Sequence, residues 1–309
     1  MAQASICFLA RDELYETTRP YAIQYEPHGD VPQTNVKQEM VNNIPIRNLR
    51  PFKDTLKLEK DGIVVRDLNT QMTYEKFADP VAVQDTYLPK VRELLRDVLE
   101  TQNVAILEYL VRRRNASFPF SPGTEYEFAQ PVPNAHVDFS PKGISDIVID
   151  RYGEEKGRQL LQHHHKIVNV WKPLFGPLLD WPLVFCRLSS VLPEDIELMD
   201  NVFPNVVEES ISIHYSPGQD WCYLDRQMDT EVIIFQGGDS DLGNSGGVPH
   251  CSFQDRRNAD DVRPRESIEV RALAFYADEK LDLDRLVHSR LHGPKSTYAQ
   301  EALRAQIEM

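Results

Sequence analysis

Apolar residues recur along this chain at two different periods, and the change from one to the other divides it. Leu88, Val91, Leu94, Leu95, Val98 and Leu99 fall three and four apart, with Lys90, Arg92, Glu93, Arg96 and Asp97 between them. That spacing predicts an amphipathic helix over 88–99 that lays one stripe on a core. A second helical stretch is expected over 145–165. Beyond it the runs shorten: 167–171, 182–191, 210–215, 231–235, 248–253 and 267–276 are rich in Val, Ile and Phe and are separated by Pro, Gly, Asp or Asn. Runs of about 5 to 10 residues between turn signals predict strands packed into a sandwich or barrel. With 130–137 in front, the series closes into two facing sheets. The expected fold is mainly β with flanking α: a double-stranded β-helix (jelly roll, cupin-like) with an N-terminal arm and supporting helices.

The ends of the chain pattern differently. Residues 1 to about 80 carry many Pro, Asn, Asp and Gln, and short alternations such as 62–66 suggest isolated strands or hairpins. Leu281, Leu283, Leu286 and Val287, then 298–307, read as two C-terminal helices. The expected organisation is therefore an arm and helix over 1–105, belonging to the same domain as a jelly-roll catalytic core over 106–280, with C-terminal helices over 281–309.

Composition narrows the partners. Among 309 residues, 34 Lys plus Arg face 48 Asp plus Glu, a net charge of −14, and 41% of residues are hydrophobic. This is too apolar for a disordered chain. It is too acidic for nucleic acid or an anionic membrane to be the main partner, because such binding draws on Lys and Arg neutralising phosphates. Arg112, Arg113 and Arg114 form the one obvious basic patch. Cys7, Cys186, Cys222 and Cys251 lack metal-pair spacing and read as reduced, mostly buried thiols. The apolar run 6–10 is cut by Arg11, Asp12 and Glu13, and no stretch approaches the ~18 to 20 apolar residues that span a bilayer. A cytoplasmic protein with a small-molecule substrate is expected, its oligomeric state left open.

A facial non-haem iron site needs two imidazoles and one carboxylate on one side of the metal. Two His-x-Asp triplets occur. His28-Gly29-Asp30 sits in a turn-rich segment and reads as a surface turn. His136-Val137-Asp138 ends a strand candidate, where residues i and i+2 project to one face and can reach one ion. His250 then opens a later strand. Beyond it, Arg265-Glu266-Ser267 begins the last one, where a guanidinium fork and a hydroxyl on the same face make a carboxylate receptor. A second Arg-x-Ser, Arg187-Leu188-Ser189, precedes the distal His and reads as structural.

His-x-Asp, distal His and Arg-x-Ser over such a strand series resemble the Fe(II)/2-oxoglutarate-dependent oxygenases. The stretches 169–173, 221–223, 239–241 and 264–271 resemble a mainly fungal and bacterial subgroup that includes a gibberellin desaturase, a cephamycin hydroxylase component and an aspergillic acid hydroxylase. The likeness covers roughly 125–280. It implies that His136, Asp138 and His250 ligate Fe(II) and that Arg265, helped by Ser267, pairs with the distal carboxylate of 2-oxoglutarate. Arg271 is a second anion-binding candidate or an ion-pair partner of Glu269 or Glu231. Asn169 and Trp171 share a strand face that lines the cosubstrate pocket or packs as core. The implied activity is oxidation of a C–H bond by O2, as hydroxylation, desaturation or rearrangement of a secondary metabolite such as a terpenoid, peptide or alkaloid scaffold, with succinate and CO2 released. The pocket is expected to reverse the sign of the acidic chain.

Two rivals stand beside this reading: an Fe(II) oxidase or isomerase of the same fold that does not consume 2-oxoglutarate, and a non-catalytic jelly-roll ligand-binding protein with structural His136 and His250. His163, His164 and His165 are expected to end a helix at the surface, and His214 to be a satisfied core or pocket residue. Asp239-Ser240-Asp241 is expected in a flexible polar loop gating the site.

Overall fold

The computed structural model describes residues 2–120, 126–204, 206–255, 257 and 262–283. Within them lie β1 (Ala2–Leu9), β2 (Tyr21–Ile23), β3 (Gln38–Asn48), β4 (Ile63–Asp67), β5 (Val104–Arg113), β6 (His136–Val137) and β7 (His164–Pro173). They continue with β8 (Leu183–Cys186), β9 (Ile196–Val202), β10 (Val207–Ile213), β11 (Trp221–Tyr223), β12 (Glu231–Asp239), β13 (His250–Ser252) and β14 (Glu266–Tyr276). One sheet has nine strands in the order β1-β3-β11-β8-β13-β6-β10-β9-β2, the other five in the order β4-β12-β7-β14-β5. The curled sheets form the jelly roll that the strand series predicts.

The five-stranded sheet shows why alternation matters. Val168 and Val170 on β7, with Ile268 and Val270 on β14, face outward. The predicted helix α1 (Leu88–Leu99) covers them, burying Val91, Leu95 and Leu99 at helical spacing. The odd-numbered residues of the same strands face the other sheet. Antiparallel pairing sets Arg271 opposite Asn169 and Glu269 opposite Trp171, so the strand over 167–171 does lie beside the last one. On β5, Arg112 stands opposite Ser267 and Glu108 opposite Arg271. The chemistry-bearing positions of β7 and β14 thus lie on the face turned toward the other sheet.

Three expectations are corrected. The stretch read as one helix over 145–165 is α2 (Pro141–Tyr152) and α3 (Glu154–Leu160), broken at Gly153, whose φ of 79° disfavours other residues. It ends before the histidine triplet, which enters β7. The first 80 residues are less an arm than sheet material: β1 and β3 form one edge of the large sheet, β2 the other, and β4 an edge of the small one. Their alternation is real but short, with Ile6, Phe8, Ile44 and Ile46 buried in one cluster. The strand expected over 130–137 shrinks to β6, and β5, apolar over 104–111 except for Glu108, was not among the expected strands. Of the two C-terminal helices, Leu281–Leu283 is non-helical and the remainder falls outside the described residues.

Candidate active site

His136 and His250 are cross-strand partners on β6 and β13. Their rings lie 4.5 Å apart, centroid to centroid. His136 Nδ1 is 2.7 Å from the Asn134 carbonyl and His250 Nδ1 is 3.1 Å from that of Val248. Each carbonyl accepts from an Nδ1–H, which leaves both Nε2 lone pairs for a ligand. Burial, then the neighbouring His136, pushes the His250 pKa down to about 3, so this imidazole is neutral. Gly247 admits the chain here, since a Cβ would collide with Val137 and the Gly237 carbonyl.

Asp138 follows β6 directly. Its position is fixed from behind, because Ser140 caps α2 by accepting from the Gly143 N–H at 3.0 Å, with Pro141 next. Asp138 Oδ1 lies 3.5 Å from His136 Nε2, and Asn169 Nδ2 donates to Oδ2 at 2.7 Å. Burial pushes its carboxyl up, but Arg271, His136 and His250 together hold it well below the usual carboxylate range. One donor atom from each of His136, Asp138 and His250 lies within 4.8 Å of the others. Two imidazoles and a carboxylate so close suit a divalent transition metal such as Fe(II).

Arg265 enters β14 from below this triad. Its Nη1 donates to Ser252 Oγ and to the Trp181 carbonyl, both at 2.7 Å, and its guanidinium lies 5.6 Å from the Trp171 ring centre. Asp180 anchors it by accepting from the Arg265 backbone N–H at 2.7 Å and from Arg114 Nε at 2.6 Å. Arg265 Nε and Ser267 Oγ are buried with no hydrogen-bond partner among the described residues. Orphaned buried donors call for a ligand that accepts, and Arg265 lines a void. They fit the distal carboxylate of a dicarboxylate, and Trp171 walls the same void while Asn169 grips Asp138 instead.

The expected reversal of charge counts Fe(II) among the cations; the arginines by themselves do not supply it. Arg112, Arg265 and Arg271 are matched by Glu108, Asp138 and Glu269: Arg271 alone meets Glu108 at 2.6 Å, Glu269 at 3.1 Å and Asp138 at 3.2 Å. Before any metal or cosubstrate binds, the interior charges balance.

A second cavity, of about 840 Å³, opens onto His136 and Asp138 from the outside. Its walls include Phe8, Ile23, Gln33 and Val36 from the N-terminal strands and the loops between them, and Met199 and Asn201 from β9.

A family model described as an oxidoreductase/YMDC permease-like domain matches residues 7–275. The Fe(II)/2-oxoglutarate-dependent dioxygenase nvfI of Aspergillus novofumigatus is 29% identical over 239 residues, 76% of this chain and 83% of that one. A solved structure of the iron and alpha-ketoglutarate-dependent endoperoxidase NvfI superposes with a TM-score of 0.76 at 25% identity, covering 88% of this chain and 97% of the other. The alpha-ketoglutarate-dependent dioxygenase phiK of a fungal species is 30% identical over 224 residues, 71% of this chain and 79% of that protein. The chain belongs to the Fe(II)/2-oxoglutarate-dependent dioxygenases.

Other sequence candidates find structural places in this dioxygenase. His28 and Asp30 lie in an exposed turn. Arg187 pairs with Asp61 and Asp220, away from the triad. His214 is buried, its Nδ1 2.9 Å from the Leu9 carbonyl. The expected gate is not loose, since Asp239 ends β12 buried, 2.8 Å from His164 Nε2 and 3.0 Å from Lys166 Nζ. His164, Asp239 and Asp241 cluster closely enough for a metal, but the Lys166 ammonium already fills the cation's role. His164 stacks on Tyr276 rather than ending a helix. The four cysteines are free and buried. Among the described residues no helix is long and apolar enough to cross a membrane.

Arg112 and Glu269 were not singled out as pocket residues by sequence. Arg112 was visible only as one of three adjacent arginines, and alternation on β5 separates them. Arg112 enters the pocket, Arg113 pairs with Glu266, and Arg114 pairs with Asp180. The alternating faces of 104–113, had that run been read as a strand, were the available signal.

Proposed function

We propose that this chain oxidises a small, neutral, secondary-metabolite-like molecule with O2, with His136, Asp138 and His250 holding Fe(II) and Arg265 and Ser267 holding the distal carboxylate of 2-oxoglutarate. The observation that carries the reading is that the three converging ligand atoms and Arg265, whose buried Nε has no hydrogen-bond partner among the described residues, line one inner void. Iron and 2-oxoglutarate, when bound, supply the oxidising chemistry, with succinate and CO2 released and hydroxylation, desaturation or rearrangement as the outcome.

The chain's own residues do the rest. The Asn134 and Val248 carbonyls hold the two imidazoles in the tautomer that presents Nε2. Asn169 and Arg271 keep Asp138 ionised and oriented. Trp171, Val132 and Leu183 keep water from the inner void. The larger cavity takes the substrate: its polar wall is mostly amides and hydroxyls such as Gln33, Gln38, Asn134, Asn201 and Ser212, with the carboxylate of Glu208 among them. Arg271 is the one guanidinium among its described lining residues, and carboxylates already occupy it. That wall favours a ligand with neutral oxygen groups over an anion.

An anaerobic titration of Fe(II) and then 2-oxoglutarate tests the assignment. A weak visible charge-transfer band should form in the wild type, fail in His136→Ala and require far more cosubstrate in Arg265→Ala. Substrate turnover without stoichiometric succinate would sink the reading.

A further inference from the structure

Glu269 is out of place in a receptor for a dianion. It lies on the inner face of β14, between Ser267 and Arg271, 7% exposed, and lines the inner void together with Arg112 and Arg265. Its Oε1 is 3.1 Å from Arg271 Nη2. Arg112 is half-buried; burial pulls its pKa down, and among its charged neighbours Glu269 opposes that most. Arg112 has a neutral hydrogen-bond partner in the Gln130 carbonyl at 2.8 Å, so the nearest negative charges on offer to it come from within the pocket. The void these groups enclose is narrow, with about 20 Å³ open to the centres of water-sized molecules, room enough for a water.

Two carboxylates sharing one low-dielectric site repel, and a buried guanidinium satisfied by one has less to offer another. We propose that Glu269 is an internal competitor of the cosubstrate: in the free protein its carboxylate offsets the positive charge of Arg112 and Arg271 and holds the affinity for the incoming dianion below what the arginines alone would give. The inference rests on the proposed function, since it presupposes that the dianion binds beside Arg265. It also accounts for the balanced interior charge: a pocket with three uncompensated guanidinia would be costly to fold around an empty space.

The test is a titration of 2-oxoglutarate into Fe(II)-loaded protein without oxygen, followed by the visible band and by tryptophan fluorescence, since Trp171 walls the void. Glu269→Gln should lower the Kd by on the order of tenfold, the effect of removing about one pKa unit of like-charge repulsion. Glu269→Ala should move in the same direction, and Glu269→Asp, which keeps the charge, should stay near wild type. Melting curves without ligand establish that each variant is folded, and the alanine and glutamine variants back each other up. A Kd that is unchanged or raised in the folded neutral variants overturns the inference, because a purely structural Glu269 can only weaken binding when removed. If the wild type binds no 2-oxoglutarate, or if Arg265→Ala binds it as well as wild type does, the proposed function fails and takes this inference with it. The two failures are therefore distinguishable.

Discussion

Asp138 shows how much of one ligand's behaviour is set by residues far away in the chain. Its carboxylate is gripped by Asn169 from β7 and Arg271 from β14, while the turn that places it is capped by its near neighbour Ser140. Asn169→Ala removes a hydrogen bond to a candidate metal ligand without touching the metal. It should weaken Fe(II) binding about 10- to 100-fold, as second-sphere changes do, and a competition titration with a chelator checks this. At this scale the sequence was informative about identity and poor about company. His136, Asp138, His250, Arg265 and Ser267 were readable because two-residue strand periodicity and chain order carry them. Asn169 was seen as a pocket residue, but nothing local says that it reaches Asp138. Asp180 left no signal at all, yet it ties Arg114 to the backbone of Arg265 from a loop. Asp180→Ala strands a buried guanidinium and an N–H, and should cost on the order of 2 to 4 kcal/mol in urea unfolding while loosening 2-oxoglutarate binding.

At the scale of elements, β7 carries opposite demands on its two faces. Inward it presents Asn169 and Trp171; outward, Lys172 is 4% exposed, with its ammonium 5.0 Å from the Phe77 ring centre and 5.9 Å from that of Tyr87. Burial, only partly opposed by Asp229, pushes the Lys172 pKa down to about 8. Below pH 8 both folded and unfolded chains hold this proton, and the folded state bears the full cost of burying the charge. Between about 8 and 10.5 the unfolded chain binds more protons, so this residue makes stability rise with pH. Lys172→Met should therefore stabilise the protein by on the order of 1 to 3 kcal/mol at pH 7, a gain that shrinks as pH climbs past 8. Thermal melts at pH 7 and 9.5 measure it, and an equal gain at both values would refute the cause given. Element type was legible wherever the apolar period was regular, as in α1, β7 and β14. It failed where a glycine broke a helix at 153, and where β5 buried both faces and so lost its alternation.

For the whole molecule, the N-terminal strands are the largest departure from expectation. Phe8 is 1% exposed, with its ring 5.7 Å from that of Trp221 and 5.4 Å from that of Tyr215, and it also walls the outer cavity. A dispensable arm would tolerate its loss, whereas Phe8→Ala should cost about 3 to 5 kcal/mol in chemical denaturation, as core aromatic truncations do. The sequence by itself determined the fold class and the order of the strands that carry the candidate ligands His136, Asp138 and His250. Those depend on residue type and short-range period, which are local quantities. The tertiary structure alone decided which charges meet. It set Glu108, Asp138 and Glu269 against Arg271, split an apparent basic patch among three partners, and brought the first forty residues round to wall the outer cavity. Pairing and enclosure arise from long-range strand register, and no window along the chain contains them.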